Sequence, residues 1–277
     1  MNSSHARQFE MSIDIDASPE IVWHAIANDV ELRRWFAPKA SVTPGEGGSV
    51  SWTWEEHHDW PQTIEIWEPG QRLKTRYDSL AADGQGGKLP LFMDFQLDGR
   101  GGKTTLRLVH SGFGPQADFD NEYDGISRGW PVELRSLKLY AEKHFGQDRQ
   151  LAWCARTYDG SPRDAWEKLT GPDGLNCGVN VDQSEIGAPF EFTTADADHF
   201  AGTALQCHEQ EFTGMVASHD DGFFRVSVHD MPGMRTIWLW LATYGNDPQQ
   251  NADLASRWEA MLTRLFPQTS AKESVAS

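Results

Sequence analysis

The chain has 277 residues, 39% hydrophobic and 23% charged, with a formal net charge of −17, a composition that describes a globular protein rather than a disordered one. No Lys/Arg cluster interrupts the acidic background, so nucleic acid and anionic membrane surfaces are not expected partners. No apolar run approaches the length of a membrane span, and MNSSHARQFE lacks the apolar centre of a signal peptide, so a cytoplasmic location is expected.

In chain order, FEMSIDID alternates apolar and polar from Phe9 to Ile15, as a half-buried strand does. DASPEIVWHAI follows at 16 to 26: Ser18 can cap a helix, Pro19 sits where a missing N–H is harmless, and Ile21, Val22, Ala25 and Ile26 form one apolar stripe. Alternating runs are then predicted as strands at Val50–Trp54, Leu73–Asp78, Leu91–Leu97 and Leu106–Leu108. Turn signals at PGEGG (44 to 48), EPG (68 to 70), ADGQGG (82 to 87) and DGRGG (98 to 102) make them antiparallel and hairpin-linked. A long amphipathic helix, about Asn121 to Phe145, is the element available to cover their apolar face.

The opening phrase then recurs. DGSPRDAWEKL, residues 159 to 169, repeats Asp16, Ser18, Pro19 and Trp23 as Asp159, Ser161, Pro162 and Trp166, each pair 143 positions apart. A strand-forming run, LAWCARTY, precedes it. Both copies close on a helical segment with a tryptophan and leucines four and seven residues on: Trp130, Leu134, Leu137 and Trp258, Leu262, Leu265. Between them, strands are expected at Pro189–Thr194, Thr203–Glu209, Phe212–Ser218, Phe223–His229 and Arg235–Tyr244, and a last helix from about Pro248 to Phe266. A chain of this length is near the limit for one core, and two units of about 130 residues fit better. The expected division is 1–146 and 151–267, with 268–277 a disordered polar tail.

DASPEIVWHAIANDVELRRWFAP (16 to 38), WEPGQRL (67 to 73), TTLRLVHSGFG (104 to 114) and GWPVELRSLKLYAE (129 to 142) together resemble the Hsp90 ATPase activator homologue-type (AHSA1-like) domain of the START/Bet v 1-like superfamily. The resemblance implies an α+β helix-grip fold: an antiparallel sheet wrapped around a long C-terminal helix, with a hydrophobic cavity between them. The second unit resembles it less closely and has no counterpart of His110-Ser111-Gly112-Phe113, so the chain reads as tandem helix-grip domains, the second shortened and diverged. Interaction with Hsp90 is not expected. In the eukaryotic co-chaperones this domain accompanies a different N-terminal chaperone-binding domain, and nothing here resembles that partner.

Chemistry-bearing residues are sparse. His110 continues the inward parity of Leu106 and Leu108 and could serve as an acid or base, although at a strand end ahead of Ser-Gly a hydrogen-bonded structural role is the more common one. Glu55, Glu56, His57, His58 and Asp59, like His219, Asp220 and Asp221, cluster donors in turns, where neighbouring side chains diverge rather than converge on an ion. Cys154, Cys177 and Cys207 are odd in number and too widely spaced for zinc pairs, as expected of reduced, mostly buried thiols. No catalytic set, nucleotide loop, metal or cofactor site is assigned.

The aromatics remain. Of twelve tryptophans, Trp52, Trp54, Trp130, Trp238 and Trp240 fall at positions expected to face a sheet–helix interior. The expected function is non-enzymatic binding of an uncharged or weakly anionic hydrophobic small molecule among Trp52, Trp54, Tyr77, Met93, Phe95, His110, Trp130 and Leu134. The alternatives are a cyclase- or hydrolase-like enzyme acting on an aromatic or polyketide-like substrate in the same cavity through His110 and Tyr77 or a neighbouring carboxylate, a protein-interaction or chaperone-associated module, and a set of aromatics that merely fill the core.

Overall fold

The computed structural model describes residues 7–54, 59–82, 87–114, 119–231, 234–245 and 247–267. The chain divides into two compact units, residues 1–149 and 150–277. Each is an α+β helix-grip domain.

The first unit runs β1 (Arg7–Ile15), α1 (Pro19–Ala27), α2 (Asp29–Trp35), β2 (Lys39–Thr43), β3 (Ser49–Thr53), β4 (Asp59–Glu68), β5 (Arg72–Ala82), β6 (Lys88–Arg100), β7 (Lys103–Phe113) and α3 (Asp120–Leu139), followed by a π-helical turn at Tyr140–His144. The strands form one antiparallel sheet in the order β1-β7-β6-β5-β4-β3-β2. α1 begins as its sequence dictates: the Ser18 side chain accepts from the Ile21 amide and Pro19 opens the helix. Strands β2 and β4 are additions to those read from the sequence. Periodicity hides β4, because a bulge between Ile64 and Ile66 breaks its alternation.

The second unit begins within β8 (Arg149–Thr157), whose first residue, Arg149, still belongs to the first; α4 (Pro162–Thr170), β9 (Pro189–Thr193), β10 (His199–His208), β11 (Glu211–Val216), β12 (Gly222–Met231), β13 (Met234–Tyr244) and α5 (Pro248–Leu265) follow. Its sheet order, β8-β13-β12-β11-β10-β9, is that of the first sheet with one strand fewer. The repeated phrase opens α1 and α4 alike, Ser161 capping the second helix by accepting from the Asp164 amide at 3.1 Å. α5 contributes Leu254, Trp258, Met261, Leu262 and Leu265 to a core shared with Phe200, Phe212 and Phe224 of the sheet. No helix among the described residues is long and apolar enough to cross a membrane.

The HSGF stretch closes β7 for a steric reason. Gly112 has φ +103, and a Cβ there would lie 2.4 Å from the Pro90 carbonyl oxygen of β6. Gly112→Ala is therefore expected to destabilise the first unit by more than about 2 kcal/mol, from backbone strain and this clash together. Denaturant unfolding checks it, and an unchanged midpoint would contradict the close approach.

The parity of β13 corrects one expectation. Ile237, Leu239 and Leu241 point into the second core, so Trp238 and Trp240 lie on the opposite face, where both rings meet Trp153, at 6.2 and 5.8 Å between centroids. IWLWL is apolar on both parities, so alternation could not decide between the faces.

Candidate functional site

The inner face of the first sheet follows from strand parity. Leu73 and Thr75 of β5, Leu91, Met93 and Phe95 of β6, and Leu106, Leu108 and His110 of β7 are all buried. Thr75, Met93 and His110 form one cross-strand row. α3 lies over this face through Trp130, Leu134 and Leu137, all buried; the Trp130 ring meets Phe95 edge-on at 5.6 Å.

The helices α1 and α2 supply the rest of the wall, and hydrogen bonds fix how. Trp35 Nε1–H donates to the Ala25 carbonyl at 2.8 Å, and the Trp35 carbonyl accepts from Ser136 of α3 at 3.1 Å. The Phe36 carbonyl accepts from Arg149 at 2.8 Å. Held in this way at the end of α2, Phe36 projects its ring between tryptophans: parallel to Trp130 at 5.8 Å, and edge-on to Trp52 at 5.1 Å and Trp54 at 5.2 Å.

Beside Phe36 lies a cavity of about 10 Å³, room for one water at most. The sheet lines it with Val50, Trp52, Leu73, Thr75 and Phe95; the helices line it with Ile26, Leu32, Trp35, Phe36 and Trp130. Of the residues expected at the site, Trp52, Phe95 and Trp130 border the cavity and Trp54 touches Phe36. Met93, His110 and Leu134 are buried in the same interior and Tyr77 is half-buried beside His110, but none of the four borders the cavity. Phe36 was not anticipated as a site residue, although the Trp35-Phe36 pair marks its place. Around this cavity the protein's own side chains leave no room for a ligand larger than water.

Behind Trp130 runs a chain of hydrogen bonds. The Trp130 indole N–H donates to His110 Nδ1 at 3.0 Å, and His110 Nε2 lies 2.8 Å from the Tyr77 hydroxyl. An indole nitrogen only donates, so Nδ1 must be bare and the neutral ring carries its proton on Nε2. That proton goes to the Tyr77 oxygen, and the Tyr77 O–H is left to donate elsewhere. Burial lowers the His110 pKa to about 3, while burial first and the Glu122 carboxylate second raise that of Tyr77. Both groups are neutral at physiological pH.

A second polar pair sits on the same face. Thr75 Oγ1 donates to Gln62 Oε1 at 2.5 Å, and Gln62 is only 4% exposed. This is the sole hydrogen bond of the Gln62 side chain among the described residues, so its amide N–H groups have no partner there.

Among the described residues, no three His, Cys, Asp or Glu side chains come together as a metal site. Glu55, Glu56, His57 and His58 lie outside the described residues. His219 stacks on the Phe200 ring at 4.9 Å.

Residues 16–142 match the family described as Activator of Hsp90 ATPase homolog 1-like protein. The first unit is an AHSA1-like domain. Solved structures similar to the chain include protein MLL2253 from Mesorhizobium loti, 23% identical over 48% of this chain and 94% of that one, with a TM-score of 0.43. The Aha1 dimer from Colwellia psychrerythraea is 22% identical over 49% of this chain and 96% of its own, with a TM-score of 0.42. DynU16, a putative protein in the dynemicin biosynthetic locus, is 18% identical over 93% of this chain and 96% of its own, with a TM-score of 0.41. No curated relative matches the sequence.

Proposed function

We propose that the AHSA1-like unit is a non-enzymatic binding domain that takes a hydrophobic small molecule into the gap between its sheet and α3. The carrying observation is the slot of three tryptophans around Phe36. Its present occupant is a single phenyl ring borne on the end of a short helix rather than on the sheet. Displacing that one ring would free a flat, aromatic-walled space contiguous with the existing cavity. Trp52, Trp54, Tyr77, Met93, Phe95, His110, Trp130 and Leu134 then surround the ligand. Shape selects the apolar body of the ligand, and neither metal nor organic cofactor takes part.

The enzyme alternative, a cyclase- or hydrolase-like reaction, draws on the contact between Tyr77 and His110. Against it stands their ionisation: a histidine with its pKa near 3 is a poor base at neutral pH, and a tyrosine with a raised pKa is a poor acid. These residues are suited to orienting a ligand rather than moving its protons. On the same reading, residues 1–146 and 151–267 are the two domains, the second a shortened copy of the first, in a chain that works in the cytoplasm with its three cysteines reduced.

Titration of flavonoids, sterols, fatty acids and polyketide-like aromatics against intrinsic tryptophan fluorescence tests the function, because three tryptophans border the slot. Saturable quenching at micromolar concentration is expected for planar compounds. Phe95→Trp, which narrows the cavity, should weaken it. No compound binding better than millimolar would leave the aromatics as a packed core.

A further inference from the structure

Resting on that reading, we infer that Gln62 and Tyr77 form a paired-donor subsite for the oxygen of an uncharged, carbonyl-bearing planar ring compound. The two residues flank the Thr63–Arg76 pair that joins β4 to β5, so they occupy adjacent positions on neighbouring strands. Thr75, which holds Gln62 by its carbonyl end, itself borders the cavity. Each residue carries hydrogen-bond donors that have no acceptor among the described residues. For Gln62 these are the amide N–H groups, because its one bond is made through Oε1. For Tyr77 it is the O–H, because the direction of the Trp130–His110–Tyr77 chain forces the tyrosine oxygen to accept. Gln62 is buried and Tyr77 half-buried, so a ligand acceptor placed here gains hydrogen bonds that the closed fold does not make.

The electrical surroundings narrow the class. None of the residues bordering the cavity is charged, and the Glu122 carboxylate acts on the Tyr77 hydroxyl. A carboxylate ligand would lose its hydration, find no cation, and face Glu122. An amine would bring donors to donors. A ketone supplies two lone pairs, one for each donor, and carries no charge.

The test uses three naphthalenes of nearly equal shape: 2-acetylnaphthalene, 2-ethylnaphthalene and 2-naphthoate, with affinities measured on the full chain by calorimetry. The ketone is expected to bind about tenfold tighter than the hydrocarbon, the worth of one net hydrogen bond, and the carboxylate more weakly than either. In Tyr77→Phe and in Gln62→Leu the ratio of ketone to hydrocarbon affinity should fall toward one. Because a ratio within one protein is compared, general loosening of either variant does not mimic the result. Infrared difference spectra of carbonyl-¹³C-labelled ketone on the unaltered protein give a second readout, with the stretch expected below its frequency in hexane. Equal binding of ketone and hydrocarbon, a ratio that survives both substitutions, or an unshifted carbonyl band would overturn the subsite while leaving hydrophobic binding intact. Binding of none of the three would overturn both.

Discussion

Replacing Trp130 with alanine is expected to lower the stability of the first unit by about 3–5 kcal/mol, the usual loss for a buried indole. The residue is 6% exposed and joins three parts of the interior. Its face stacks on Phe36, its edge meets Phe95, and its N–H is bonded to His110. Truncation opens a cavity too large for the sheet to collapse into and leaves His110 Nδ1 without its donor. Thermal unfolding should show the first unit melting on the order of 10 °C lower. An unchanged midpoint would mean that the ring is not part of the wall between α3 and the sheet.

Acid should weaken the first unit through His110, and the sign follows from its buried, neutral state. The folded pKa, about 3, lies below the ordinary histidine value, so unfolding takes up a proton at any pH between the two. Stability from this group is fully present above about pH 6.5 and declines as pH falls through that window, by up to about 1.4 kcal/mol per pH unit. His110→Gln keeps an acceptor for the Trp130 N–H but does not titrate. Between about pH 5 and 6.5, above the range in which most carboxylates protonate, the parent protein should therefore lose stability more steeply than the variant. Parallel slopes in chemical denaturation would show that His110 is solvated or already charged in the fold.

Much of this architecture is legible in the residues. Capping serines, the prolines after them and the tryptophans in the second turn place α1 and α4, because those signals act locally. Clean alternation places β6 and β7 and turns His110 inward, since one face of each strand is apolar and the other is not. Where both faces are apolar, as in IWLWL, or where a bulge interrupts the period, as in β4, alternation carries no information about facing. The site shows the same limit. The residues of β5, β6 and β7 are assignable to one interior from strand parity, and those of α3 from its helical period. Phe36 is not, because its position depends on Trp35, Ser136 and Arg149, which bring the end of α2 over the sheet from distant parts of the sequence. Nor can parity distinguish an open pocket from a filled one: both need large apolar side chains at the same positions, and only packing reveals that about 10 Å³ is left between them.

Gln62 illustrates a different gap. A glutamine in a segment whose alternation is broken reads as a solvated residue, and its burial becomes visible only when β3 and β5 are paired on either side of β4. Its bond to Thr75 then explains how the amide is held, and which of its groups are left for a ligand.

The structure of the protein crystallised from a solution saturated with 2-acetylnaphthalene tests the binding reading most directly. Expected is a planar ring between α3 and the sheet, bordered by Trp52 and Trp130, with the Phe36 ring displaced from its slot. Phe36 still stacked on Trp130, with no ligand between helix and sheet, would contradict it.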